Sequence, residues 1–417
     1  MKIAIFGSNL YAGVMAVLFT ECGHEVWVCN EQADPFAELK EQEVIHALEQ
    51  QLHSGFLHYC PFRYLPEVLD SYIFSFNPAD EEYALKLAYQ LSEQTLIHPK
   101  LMVNASTFGL NGTEKLKKYL PEDHWVYFPD VIQEGRAFRS ITRAAQIVIG
   151  CDEHCEQAQV LIKEMLRPFF PRPQQYLFMP TLDAEFTKLS ISGLLAARIS
   201  YVNDLAVVAE KIGVDIEHVR QGMAADSRIG NSYLYPGAGF GGENFCHDIL
   251  TLSSTISNTG AKSQLLQQVW EINEQQKEFL FRKLWNYFHS DLSEKVVTIW
   301  GASFKENTSS IRFSPIHPML AALWAQGVTV RLHDPKALPE IEKYYGQRDD
   351  LILCEDQYGA AEGAHALCLL TSWRQYWTLD YATLKEKMNH PLILDGRNIY
   401  QPEYVKSQGF AYMGVGR

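Results

Sequence analysis

The chain has 417 residues, with 36 Lys and Arg against 50 Asp and Glu for a net charge of −14. That length predicts two to three domains, and a composition 47% apolar and 21% charged fits a folded globular protein, not a disordered chain or a membrane span. The acidic balance, without a Lys/Arg-dense tract, excludes a protein whose main work is gripping nucleic-acid phosphates and favours a small-molecule partner.

The start, MKIAIFGS, carries one early Lys, strand-like residues and a turn instead of a leader pattern, so a cytoplasmic location is expected. Eight Cys without a close paired framework predict reduced thiols. Residues 2–6 (KIAIF) read as a strand, 7–13 (GSNLYAG) as a turn, 14–22 as a helix stopping at Gly23, and 25–29 (EVWVC) as a second strand. Apolar runs at 72–76, 101–105, 125–128 and 145–150 alternate with helical stretches near 82–94 and 153–166. This predicts a doubly wound α/β domain over 1–172. The pattern changes at Pro171-Arg172-Pro173, and two helical segments, 183–212 and 262–288, predict a helical middle domain over 173–290. Small residues along the first segment, among them Ser192, Gly193, Ala196 and Ala197, permit close helix–helix approach. Strands at 296–303, 328–334, 366–372 and 391–397 predict a second α/β domain over 291–417. The fold class is therefore α/β, with two Rossmann-like doubly wound domains joined by a helical middle.

The first turn tests for a dinucleotide site. A G-x-G-x-x-G loop uses its first Gly for the turn, its second for close approach of pyrophosphate and its third for helix packing, with an acid on the ribose after the next strand. Here those positions hold Gly7, Asn9, Ala12 and Asn30. Asn9 adds a side chain where pyrophosphate should pass, and Asn30 offers only an uncharged ribose contact. A turn kept for folding alone fits the same residues. Two other groups, Cys151 with His154 and Cys155, and His53 with His58 and Cys60, lack a complete four-ligand pattern, so packing is the favoured reading and no metal is expected.

The blocks NASTFGLNGT (104–113), FPDVIQEG (128–135), FTKLSISGLLAARISYVND (186–204), DSRIGNSYLYPGAGFGGENFCHD (226–248), GASFKENTSSIRFSP (301–315), HDPKA (333–337) and LDGRNIY (394–400) resemble, in order and spacing, the motifs of the UDP-glucose/GDP-mannose dehydrogenases. The resemblance implies NAD as cofactor, a nucleotide sugar such as UDP-glucose as ligand, a homodimer through the middle helices, a setting in polysaccharide biosynthesis, and oxidation of a sugar alcohol to an acid in two hydride transfers. The second transfer needs a Cys nucleophile that passes through a thioester. That Cys lies in a GFGG-S-C-F-P-K-D motif, which here reads Gly239 to Asp248 with Asn244 at the nucleophile place. An amide cannot form a thioester. Cys246 stands two residues on, where its side chain should occupy a different place.

By the same resemblance Lys188 and Asp248 match the residues that stabilise oxyanions and steer water, Thr107 and Glu134 match a water-positioning pair, Asp130 stands where the family has Glu, and Ser192 stands where it has Asn. Arg312, with Thr107, approaches the dinucleotide. Lys188, Arg228, Tyr233, Gly241, Lys305 and Arg397 match nucleotide-sugar contacts, Arg228 across a dimer interface. A buried ion pair is the structural alternative for Lys188 and Asp248. Three functions follow: a family member that binds a nucleotide sugar but cannot complete the oxidation, an oxidoreductase limited to one hydride transfer, or a full 6-dehydrogenase using Cys246.

Overall fold

The computed structural model describes residues 1–93, 99–121, 124–152 and 155–417; His154 of the Cys151 group lies outside the described residues. The chain divides into two compact units, Met1–Ile191 and Ser192–Arg417, the boundary falling within the 32-residue helix Thr181–Ile212.

The first unit is built on an eight-stranded sheet of β1 (Lys2–Phe6), β2 (Glu25–Cys29), β3 (Leu57–Cys60), β4 (Ser71–Phe74), β5 (Leu101–Asn104), β6 (Trp125–Tyr127), β7 (Ile147–Gly150) and β8 (Tyr176–Met179). Their spatial order is β3-β2-β1-β4-β5-β6-β7-β8, parallel except where Tyr127 of β6 meets Gly150 of β7. The first six follow the doubly wound order, in which ligands bind beyond the strand C-termini at the switch between β1 and β4. Strands β1, β4 and β5 are almost entirely buried apolar residues, as a sheet covered on both faces requires.

Two local expectations are corrected here. The helix after β1 begins at Leu10, inside the stretch read as a turn, because the Asn9 side chain accepts the Ala12 N–H at 2.9 Å and caps it; Tyr11 through Thr20 are then all buried, so no polar face marks the start. Strands β3 and β8 lie outside the expected apolar runs, being four residues each with mixed exposure. β8 lies beyond Pro171-Arg172-Pro173 yet completes the first sheet.

In the second unit the helices Ile216–Ala225, Glu243–Asn258, Leu265–Lys277 and Phe279–Tyr287 precede a six-stranded sheet. The expected single segment 262–288 is two helices that meet at Glu278, whose ψ of −1° leaves the helical range. The sheet comprises β9 (Val296–Trp300), β10 (Thr329–His333), β11 (Leu351–Leu353), β12 (Ala366–Leu369), β13 (Leu392–Asp395) and β14 (Ala411–Met413), all parallel, in the order β11-β10-β9-β12-β13-β14. It repeats the doubly wound pattern, with its own switch between β9 and β12.

Thr181–Ile212 has a window of mean hydropathy 1.3, enough by length and composition alone to cross a membrane, a test that the core helix of a globular protein also passes. An average over 417 residues hides one local apolar run. The expectation of eight reduced thiols is corrected at Cys151 and Cys155, which form a disulfide. The end of β7 and the start of the helix Glu156–Leu166 bring their Cα atoms to 6.3 Å, within disulfide reach.

The carboxylate of Asp334, 2% exposed just after β10, organises the strand ends of the second unit. One oxygen accepts the N–H groups of Ala302 and Ser303, the Ser303 hydroxyl and the Trp373 indole N–H; the other accepts the N–H groups of Lys336 and Ala337. Removing this acceptor strands several buried donors at once. Asp334→Ala is expected to destabilise the protein by about 3 kcal/mol or more in urea unfolding; a loss below about 1 kcal/mol would contradict this assignment.

Candidate functional site

In the first unit the candidate residues gather at the strand C-termini. Gly7 follows β1 with φ 114°, and a Cβ there would lie 1.8 Å from the Ser75 carbonyl oxygen, so the closeness of the β1 and β4 ends already requires glycine. Asn9 Oδ1 accepts both the Ala12 N–H and the Ser75 hydroxyl, the latter at 2.8 Å. The carboxamide therefore occupies the N-terminus of the helix, where a pyrophosphate would sit on N–H groups. Ala12 is fully buried in the helix's first turn. Asn30, one residue past β2, turns its Oδ1 onto the Gln32 N–H at 2.9 Å. Asn9 Oδ1 and Asn30 Oδ1 thus bond to the protein itself.

Beyond β5, Thr107 is buried and donates its N–H to the Phe76 carbonyl. Beyond β6, Asp130 Oδ1 accepts the Ile132 N–H, and Glu134 is half-buried beside Gly135, whose N–H reaches Glu41. Sequence reasoning missed two groups here. Tyr11 is 1% exposed with no hydrogen-bond partner for its hydroxyl among the described residues; burial first, then the Asp130 carboxylate, push its phenol well above the ordinary range. Glu185 accepts the N–H groups of Asn111 and Thr113 and the Thr113 hydroxyl, anchoring the 104–113 block, and burial raises its carboxyl. A buried Tyr in a turn and a Glu on an apolar helix were the available signals. Lys188, on the helix Thr181–Ile212, is buried.

In the second unit the loop Gly237–Gly242 is held from both sides. The helices supply Asn203 Oδ1 to the Gly237 N–H, Asn273 Oδ1 to the Phe240 N–H, and Gln276 Nε2 to the Gly237 carbonyl. The sheet edge supplies the Gly396 carbonyl to Ala238 and the Arg312 carbonyl to Gly242. Four N–H groups of the loop are thereby spent on the protein, which narrows the expectation that the loop presents them to a ligand. Gly241 is fixed by contact, since a Cβ would lie 2.6 Å from the Phe313 carbonyl oxygen.

Arg397, just past β13, donates to the carbonyls of Leu370 at 2.5 Å, Phe304 at 3.3 Å and Gly239 at 3.4 Å. Burial pulls its pKa below the ordinary guanidinium value, with Glu306 and Asp395 acting in the opposite direction. A desolvated cation held by carbonyl dipoles suits an anionic ligand. Lys305 lies over the Phe304 ring, 5.4 Å from its centroid. The structure thus gathers Gly241, Lys305 and Arg397 at the second sheet's C-terminal edge. Tyr233 is half-buried at φ 58°, its phenol raised by burial. Arg312 contributes its carbonyl while its side chain is exposed. Arg228 stands apart, its side chain 87% exposed and paired with Asp226 at 2.7 Å.

The helix Glu243–Asn258 places Asn244 and Asp248 one turn apart on one face. Asp248, 2% exposed, accepts the Ser192 hydroxyl at 2.7 Å. Ser192 therefore reaches the carboxylate despite the shorter side chain. Cys246 is fully buried among Ala196, Phe240, Ile249 and Val269, about 200° round the helix from Asn244. Among the described residues no group of His, Cys, Asp and Glu could hold a metal ion.

Two doubly wound sheets with a helical segment between them in the chain, a glycine loop and a half-buried arginine at the strand ends of the second sheet define a nucleotide-binding α/β protein of dehydrogenase architecture. Residues 182–275 match the central domain, and residues 298–402 the UDP binding domain, of the UDP-glucose/GDP-mannose dehydrogenase family. The chain is 31% identical over its full length to UDP-glucose 6-dehydrogenase of Pseudomonas aeruginosa, covering 98% of that protein, and 27% identical to that of Rhizobium meliloti, covering all of it. In fold it is similar to a UDP-glucose dehydrogenase from Pyrobaculum islandicum, with a TM-score of 0.85 at 23% identity, covering all of this chain and 97% of that one. The chain belongs to the UDP-glucose/GDP-mannose dehydrogenase family.

Burial raises the Cys246 thiol to about 12. Because the thiolate is the nucleophile, its population at pH 8 should be roughly a ten-thousandth of the whole. Iodoacetamide at pH 8 is expected to alkylate half-exposed Cys60 in the native protein and leave Cys246 unmodified by peptide mass mapping. Alkylation of Cys246 at the rate of Cys60 would overturn this.

Proposed function

We propose that this chain binds a nucleotide sugar such as UDP-glucose and does not complete the alcohol-to-acid oxidation. The observation that carries this reading is Asn244 at the nucleophile position, on one helix face with Asp248. A carboxamide cannot form the thioester that the second oxidation requires. The burial of Cys246 on another face speaks against its taking over. The half-buried Arg397, Lys305 and the braced glycine loop support retention of the sugar-nucleotide pocket. NAD is the cofactor expected from the family, and the self-bonded Asn9 and Asn30 favour weak binding of it. The proposed division into 1–172, 173–290 and 291–417 assigns these two ligands to the first and last parts.

Incubation with UDP-glucose and NAD is expected to give no NADH at 340 nm, while UDP-glucose raises the unfolding temperature. Arg397→Gln should abolish that protection. Two NADH per sugar acid would refute the reading, and absence of any protection would refute the pocket.

A second reading, a single hydride transfer to give an aldehyde or ketone, needs no thiol. It is favoured by the Ser192–Asp248 hydrogen bond, which keeps a buried carboxylate beside the nucleophile position as a proton acceptor. Under it Lys188→Ala removes turnover of one NADH per sugar while UDP-glucose protection persists; under the first reading there is no turnover to lose.

The homodimer is proposed through Thr181–Ile212. Leu194, Tyr201, Val208 and Ile212 are 66%, 56%, 50% and 68% exposed and fall on one stripe of that helix. Light scattering after size exclusion should give twice the 47.6 kDa chain mass, and Leu194→Asp combined with Val208→Asp should shift it to the monomer. A wild-type monomer would refute the dimer.

A further inference from the structure

Cys29 and Cys60 are the last residues of the neighbouring parallel strands β2 and β3, and they stand opposite each other in the register. Adjacent strands lie about 4.8 Å apart, inside the roughly 4.4–6.8 Å Cα range that a disulfide spans. Both side chains are on the same sheet face, in one cluster with Trp27, Phe6 and Phe74. The preceding register pair on that face, Trp27 and His58, stacks with ring centroids 5.1 Å apart, which confirms that the two strands present matched side chains to one another. Both thiols are free. Cys29 is 7% exposed and Cys60 half-buried, so only one of the two is open to a reagent.

We infer that Cys29 and Cys60 form a dithiol site that low-molecular-weight disulfides oxidise to a cross-strand disulfide. The Cys60 thiolate attacks one sulfur of the reagent disulfide, forming a mixed disulfide and expelling one reagent thiolate. The Cys29 thiolate then attacks Cys60 Sγ and expels the second. Two protein thiols are oxidised, one reagent disulfide is reduced to two thiols, and the two Cys protons end on those products. Paired in the register, the two thiols differ as this order needs: the neighbouring Cys29 holds the Cys60 thiol below its ordinary value, and the Cys29 thiol is raised. The bridge would close beside Asn30, whose N–H already bonds the Cys60 carbonyl at 3.2 Å. Oxidation thus pins the turn at the ribose position of the first sheet. The inference stands independently of which ligand that edge takes.

The test treats the intact protein with oxidised glutathione, quenches with acid, alkylates remaining thiols in denaturant and maps the peptides by mass. The expected product is a peptide pair linked through Cys29 and Cys60, reversed by dithiothreitol, with Trp27 emission changing in step. Cys60→Ser should lose both the link and the emission change, and Cys29→Ala should instead hold a stable glutathione adduct on Cys60. If wild type returns Cys29 and Cys60 both alkylated, or Cys60 glutathionylated with Cys29 alkylated, the inference fails. Cys151 and Cys155 lie in separate peptides and should be unaffected by either substitution.

Discussion

A buried loop without regular structure must find a partner for each peptide group it takes out of water, and Gly237–Gly242 imposes that demand on the whole second unit. Asn203, Asn273 and Gln276 reach it from two helices, and Gly396, Arg312 and Arg397 reach it from the sheet edge. The helices and the sheet are thereby tied to one short segment. Glycine at 241 follows from the 2.6 Å approach to the Phe313 carbonyl, which leaves no room for a side chain. Because the loop leads directly into the helix Glu243–Asn258, its bracing also sets the helix phase, and with it which residues share a face with Asp248.

The departures from the family pattern have a common physical form. The side chains at these positions bond to the protein itself. Asn9 caps its own helix and receives the Ser75 hydroxyl, Asn30 closes an Asx turn on Gln32, and Ser192 donates to Asp248. A capping side chain typically contributes about 1 kcal/mol, so Asn9 stabilises the start of its own helix. In contrast, Arg397 is held only by carbonyl oxygens, and its charge has no carboxylate among those hydrogen bonds. The two sheets therefore differ at their strand ends: in the first Asn9 and Asn30 bond to the protein, whereas in the second Arg397 is a partly desolvated cation.

The cysteines are sorted by environment. Cys246 and Cys368 are fully buried in apolar surroundings, where desolvation suppresses the thiolate and the residues act as small apolar side chains. Cys151 and Cys155 are brought within bonding reach by a strand end and the helix that follows it. Cys29 and Cys60 are brought together by strand register alone, thirty-one positions apart in the chain, and no spacing rule would have paired them.

Much of the architecture was legible in the residues. Continuous apolar runs such as KIAIF and LMVN mark strands buried on both faces, and the ordered blocks from Asn104 to Tyr400 carry the family. The unbroken GFGG register sets Asn244 at the place where the resemblance puts the nucleophile. The sequence could not reveal that LHYC and YLFM are strands, because four residues of mixed exposure carry no period and acquire their identity from the neighbours they pair with. Nor could it show that Asn9 and Asn30 turn inward or that Cys29 faces Cys60. Those outcomes depend on helix phase, strand register and partners dozens of residues distant, all of which are decided only when the chain has folded.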